Sequence, residues 1–216
     1  PLADALRAHG NVVLAAEWHR SDLAGVGGPR ASVRSISLPA SNLLAAAATH
    51  GFAFAHIDPD FVVRRHFDGF PDRELPSLAL QAARLLDPAL AHAAVAGAPT
   101  RWMNYYGPPL TVPSVSLADA LDPSATPDSL FHQRTVLVGT RPSAGRFDER
   151  RDEWRSPLSG WGPGLLFMPA VEVHATELLN LIRGDWLRRP PPLLEAAGLV
   201  LLAFALTWAL FRLRPL

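Results

Sequence analysis

Three side chains able to do acid, base or metal-binding chemistry, Glu172, His174 and Glu177, stand close together in the stretch "VEVHATELLNLIRGDW". A histidine beside two carboxylates is the composition of a cation site, or of a general base with the acid that orients it. On a helix at about 100° per residue from Val171, His174 falls near −60°. That is inside an arc from about −80° to 80° that also holds Leu181, Leu178, Ile182, Ala175 and Leu179. Glu177 falls near −120° and Glu172 near 100°, so about 140° separates the carboxylates. They cannot grip one ion from this helix alone, and no H-E-x-x-H accompanies them. The expected roles are structural. His174, Leu178 and Ile182 turn into a core, Glu172 sits where the helix dipole favours a negative charge, and these four residues carry any signal along the helix.

A second constellation is "HIDPDFVVRRH", His56 to His66. Asp58 and Asp60 flank a Pro59 turn, and Arg64 and Arg65 follow on a strand, a set that could hold a cation or an anionic ligand. Strand alternation sends Arg64 and Arg65 to opposite faces, so only one is expected to join the acids. The competing expectation is a turn stabilised by Asp58, with an ion pair across the hairpin. A third candidate lies between Gly139 and Met168, where about thirty residues show no hydrophobic period, far beyond an ordinary connection. It follows a strand end, where α/β folds place ligands, and offers Arg141 and Asp148. Its centre, "RFDERRDEWR", mixes four Arg with four acids, which equally suits a solvated, self-paired segment. The ligand-binding candidates are thus Asp58, Asp60, Arg64, Arg141 and Asp148.

Other chemistries find no footing. The chain has no Cys, which removes thiol catalysis, thiolate zinc sites and disulfides. "VLVGTRPSAG" lacks both phosphate-binding glycine patterns, and no G-x-S-x-G elbow supplies a nucleophile. Twenty acidic residues balance twenty basic ones, so no field recruits nucleic acid. No metal and no cofactor is expected.

The elements that must position these residues read as alternating helices and strands. "LADALRAHG" is a helix ending at Gly10, "NVVLAAEW" a strand, "DLAGVGGPRAS" a loop, and "ASNLLAAAATHG" a helix stopped by Gly51. "FAFAHID" and "FVVRRHF" are two strands joined at "DPD". "LPSLALQAARLLD" is a helix with Leu78, Ala82, Leu85 and Leu86 on its inner face. "RWMNYYG" is a short strand, "SLADALD" a helix capped by Ser116, and "TVLVGT" a buried strand. The 216 residues suit one α/β domain, a sandwich around a largely parallel or mixed central sheet, followed by one C-terminal transmembrane helix. Ala196 to Phe211 carry no charge, Leu193 and Leu194 extend the run, and Arg212 closes it beside Trp208. The predicted division is a domain over 1–189, a proline linker over 190–192, a membrane helix over 193–211 and a stub over 212–216. The natural start is expected upstream of Pro1.

The order of these segments resembles the type-2 CHASE family, the extracellular sensory domains associated with bacterial cyclases, histidine kinases and related signalling enzymes. The resemblance is carried by "GFAFAHIDPDFVVRRHF" with "LPSLALQAARLL", then "MNYYGPPLTVPSVSLADAL", "TVLVGTRPSAGRFDERRDEWRSPLSG" and "MPAVEVHATELLNLIRGDWL", about residues 42 to 187. The family pattern has glycine where Phe61 and Ala170 stand, so a tight turn at the first and the helix start at the second are open to a different construction. The resemblance implies a non-enzymatic sensor outside the cell (inner) membrane, with Pro1 to Arg189 outside and Arg212 inside. It supplies no ligand. The implied partners are an unidentified small-molecule or protein signal, the bilayer through residues 193–211, and a second copy of the chain, for which Ala205 and Ala209 have small-xxx-small spacing. The rival expectations are a membrane-anchored α/β hydrolase using His174 or the His56 to His66 region, and an envelope scaffold.

Overall fold

The computed structural model describes residues 1–23, 31–70, 75–89, 101–140, 152–161 and 166–212, excluding the side chains of residues 18–34 and 70. Arg141 and Asp148 lie outside the described residues. The chain forms two compact units, Pro1–Trp186 and Leu187–Leu216.

In the first unit, helix α1 (Leu2–His9) ends at Gly10, whose φ of 75° is open to glycine without steric cost. Strand β1 (Val13–Leu23) pairs antiparallel with β2 (Ala31–Ser37) and parallel with β3 (Thr49–Phe52). The sheet is therefore mixed, in the order β2-β1-β3. Helix α2 is only Ser41–Leu44. The alanine-rich run was expected to stay helical to Gly51, but Thr49 to Phe52 gain a strand ladder against Val13 to Ala16. Burial of Phe52, which is fully enclosed, outweighs the weak local preference of alanine.

Three two-stranded pairs follow: β4 (His56–Ile57) with β5 (Val63–Arg65), β6 (Gly69–Phe70) with β7 (Leu75–Pro76), and later β8 (Glu153–Trp154) with β9 (Met168–Pro169). Between them lie helices α3 (Leu78–Leu86) and α4 (Leu117–Ala120), each opened by a serine, Ser77 and Ser116, whose hydroxyl accepts from the backbone N–H three residues on. Of the expected inner face of α3, Ala82 packs beside the core and Leu78 is half-buried, but the last turn is misassigned. Ala79, Leu80 and Ala83 are buried, while Leu85 and Leu86 are exposed. The small Ala79 and Ala83 permit a close helix contact that leucines would hold apart. "RWMNYYG" extends the β4-β5 ladder, with His66 N–H donating to Arg101 C=O and Met103 N–H to Arg64 C=O. "TVLVGT" joins no ladder among the described residues. Leu137 packs inward, while Val136 and Val138 face solvent, because no neighbouring strand covers them.

Helix α5 (Ala170–Arg183) begins directly after β9 and stops at Gly184, φ 66°. Two clusters meet it. Ala79, Leu80 and Ala83 pack on Leu178 and Leu181, while Ala55, Val63, Met103 and Met168 pack on Val173. Trp186 borders both clusters. Burying each of these leucine, valine and methionine side chains is worth about 1.5–3 kcal/mol, and an alanine methyl less.

The second unit contains helix α6 (Pro192–Arg212), which is long and apolar enough to cross a membrane. None of its residues is buried.

Candidate functional site

Helix α5 is enclosed on nearly every side. His174, Ala175, Leu178 and Leu181 of its apolar arc are buried, and so is the opposite arc: Glu172, Glu177 and Asn180 are buried, near 100°, −120° and 180° at about 100° per residue. Each of these polar residues holds a different segment of the chain.

At the first turn Glu172 Oε2 accepts from Leu110 N–H at 2.8 Å and Oε1 from Val112 N–H at 3.0 Å. Leu110, at φ 71°, sits in the left-handed region that this pair of charge-assisted bonds helps to hold. One turn on, His174 Nδ1 lies 2.9 Å from Glu177 Oε2, and its ring stands edge-on to Trp154 at 5.7 Å. At the third turn Asn180 accepts from Asn104 N–H at 2.9 Å and donates to Asn104 C=O at 3.0 Å. Its amide also donates to the Tyr106 hydroxyl and to Asp185. Tyr106 in turn donates to Asp185 at 2.9 Å, and Arg183 lies over the Tyr106 ring. Burial, and then the hydrogen bond to Asp185, raises the Tyr106 phenol above its ordinary range. Leu178 is buried. Ile182, expected to turn inward with it, is 36% exposed, because the apolar contact with α3 closes at Leu181.

Glu177 is wholly enclosed, and its Oε1 lacks a hydrogen-bond partner. The nearest group is His66 Nδ1 at 3.8 Å. The other His66 nitrogen lies 3.1 Å from Asp68 Oδ1, close enough for charge attraction but misaligned for a hydrogen bond. Arg101 Nη2 approaches the same oxygen at 3.7 Å. The Trp186 ring packs on His66 at 5.0 Å, tilted by 53°, and lies under the Arg101 guanidinium at 5.3 Å. Burial, and then the charge of Glu177, drives the Tyr105 phenol well above its ordinary range. Among the described residues no three His, Asp or Glu side chains converge as a cation would require.

The hairpin holds Asp58, Asp60 and Arg64 together and adds Arg65. Arg64 forms two bonds to Asp60, at 2.8 and 2.7 Å, and one to Asp58 at 3.1 Å, while Arg65 Nε donates to Asp58 at 2.9 Å. Both arginines therefore reach the acids, contrary to the alternation expectation. The register shifts between His56 and Ile57, and long guanidinium arms curl around the turn. Burial opposes ionisation of Asp58, but Arg64 and Arg65 outweigh it and hold the carboxyl low. The hydrogen bonds from Arg64 bring Asp60 down to about 2. The tight turn forms without glycine: Phe61 takes φ 63° and is 74% exposed, its N–H donating to Asp58 C=O. At Ala170 the helix starts on a backbone bond to Asp152 C=O at 2.7 Å.

Asn104, Tyr106, Asp185, Asp68, Arg101 and Trp186 escaped the sequence-based expectations, and His66 was noted only as the end of the hairpin constellation. The available signal was the polar arc of α5. Three residues able to bond backbone or imidazole, on one side of an otherwise apolar helix, are as consistent with buried partners as with water.

No curated protein and no solved structure matches the chain. The family model of the CHASE2 domain matches residues 1–212, nearly the whole chain and all of both units' described elements. The chain thus belongs to the CHASE2 family, the extracellular sensory domains of signalling receptors.

Proposed function

We propose that the chain is the extracytoplasmic sensor portion of a bacterial membrane receptor, relaying the binding of a small molecule or protein through α5 to a membrane helix. Residues 1–189 would lie outside the inner membrane, 190–192 would form the proline link, 193–211 would span the bilayer and 212–216 would lie inside. The observation that supports this best is the grip on α5. Glu172, Glu177 and Asn180 tie one helix to the 104–112 segment and, through His66, to the end of β5. A displacement of the helix must therefore change all of them together, and the chain runs from its end into α6 within nine residues, Gly184 to Pro192. A signal acts on such an element only by binding its two arrangements unequally. A homodimer along Ala205 and Ala209 would suit the small-residue spacing. Against the hydrolase alternative, His174 is 5% exposed, which leaves a substrate little access to its imidazole.

The absence of cysteine makes the test direct. An impermeant maleimide applied to intact cells should label Leu117→Cys and leave Arg212→Cys unlabelled. In the receptor reconstituted in lipid discs, a nitroxide at Leu193→Cys should change line shape when Glu172→Gln or Asn180→Ala is introduced with circular dichroism preserved. Labelling at Arg212→Cys from outside would overturn the topology, and an unchanged line shape in both variants would overturn the relay.

A further inference from the structure

We infer that Glu177, His66 and His174 form a proton-binding site in the core, through which α5 responds to the acidity outside the membrane. This rests on the sensor reading above and names the signal as a proton. Removing a carboxylate from water costs several kcal/mol unless partners replace the water. Glu177 has a full partner at one oxygen only, His174 at 2.9 Å. Its other oxygen faces His66, whose side chain is likewise wholly enclosed.

The arrangement around His66 distinguishes its two forms. Nδ1 lies 3.8 Å from a Glu177 oxygen and Nε2 lies 3.1 Å from an Asp68 oxygen, so each ring nitrogen has a carboxylate within reach of charge attraction, though neither makes a hydrogen bond in this arrangement. An imidazolium presents N–H at both positions. A neutral ring presents one bare nitrogen, whose lone pair repels the oxygen it faces. Charge adds to this: two carboxyl groups, Glu177 and Asp68, stand on either side of the ring and one guanidinium, Arg101, stands beside Asp68 at 3.7 Å, so a positive ring would balance the set. The other groups around the site are the Tyr105 phenol, which feels the Glu177 charge, and Trp154 against His174. Within α5 itself, Glu172 is engaged by Leu110 and Val112, and Arg183 by Tyr106.

Two packings follow. With the proton present, His66 bridges α5 to Asp68. Without it, one carboxylate is repelled and the Glu177 side of α5 loosens. Trp186 packs on His66 with its ring tilted, borders both core clusters and is the last residue of the first unit, so it carries the change to the end of the domain. Histidine is the side chain whose ordinary titration falls between about pH 5 and 8, the range an external acidity sensor needs.

The test uses the full chain in lipid discs with histidine labelled with nitrogen-15, and His66 assigned from its disappearance in His66→Gln. Between about pH 8 and 5, the His66 nitrogens should pass from the neutral to the doubly protonated pattern, with tryptophan emission changing at the same midpoint. Glu177→Gln and Asp68→Asn should each move that midpoint to lower pH; Asp68 is partly exposed, so its variant remains informative if the first does not fold. A His66 that keeps one protonation state throughout, or a midpoint unmoved in the folded variants, would overturn the proposal. A titrating His66 with an unchanged Leu193→Cys line shape would instead overturn the relay alone.

Discussion

Asn180 and Asn104, 76 residues apart, are joined by two hydrogen bonds, the side-chain amide of the first answering both backbone groups of the second. This pairing is the strand-like contact a neighbouring chain would make, supplied instead by a helix. It places the 104–106 segment against α5 and brings Tyr106 within reach of Asp185.

Asn180→Ala leaves the N–H and C=O of half-buried Asn104 without their side-chain partner. Orphaned groups of this kind cost about 1–3 kcal/mol each. Denaturant unfolding should show a loss of about 3 kcal/mol, and Asn180→Asp should be no better, because a carboxylate cannot donate to Asn104 C=O. A stability equal to wild type in either variant would contradict the pairing.

Glu172→Gln should act more locally. A glutamine has one acceptor oxygen where the carboxylate has two, so either Leu110 or Val112 N–H must face an NH₂ group. Hydrogen exchange at those two amides should accelerate by about tenfold or more, as loss of about 1.5 kcal/mol implies, with the amides of Val63 to Arg65 unchanged.

The hairpin ion pairs set a pH dependence whose sign is fixed. Asp58 and Asp60 are held below the usual value of 3.8, Asp60 at about 2. Their folded-state values are depressed, so their contribution is complete above 3.8 and is lost as the pH falls, through about 2 for Asp60. Carboxyl carbon-13 shifts should follow Asp60 to that low midpoint, and Arg64→Met should return it toward 3.8.

Gly51 is pressed against the start of α3. A methyl group there would lie 2.6 Å from Leu78 Cα and 2.8 Å from Ser77 C=O, both backbone positions that cannot swing away. Gly51→Ala should therefore cost about 3 kcal/mol or more, read as a lower unfolding midpoint with α3 displaced from β3.

A charge in the middle of α6 tests the bilayer. Leu201→Arg should disfavour insertion by about 3 kcal/mol and shift the protein from the membrane pellet to the supernatant on alkaline extraction. Arg212→Ala, at the end of the helix, should leave it in the pellet.

Much of this protein is visible in local sequence. The apolar run of α6 is a matter of length and composition. The Ser116 cap, the stop at Gly10 and the Asp58 turn each depend on residues within a few positions, and all three occur where the sequence puts them. The family, too, could be read from segment order. Where local preference met a long-range partner it lost: Thr49 to Phe52 left a helical pattern for the ladder with β1, and "TVLVGT" stayed outside every described ladder despite its strand-like residues.

For α5 the sequence determined the helix, its apolar arc and the divergence of Glu172 from Glu177, because a period of 3.6 residues follows from backbone geometry alone. Only the tertiary structure decided that the opposite arc is also buried, that Asn180 meets Asn104, and that Glu177 faces His66 rather than water. A polar side chain on a helix is equally stable in water or against a buried partner, and which it meets depends on segments that arrive from far along the chain.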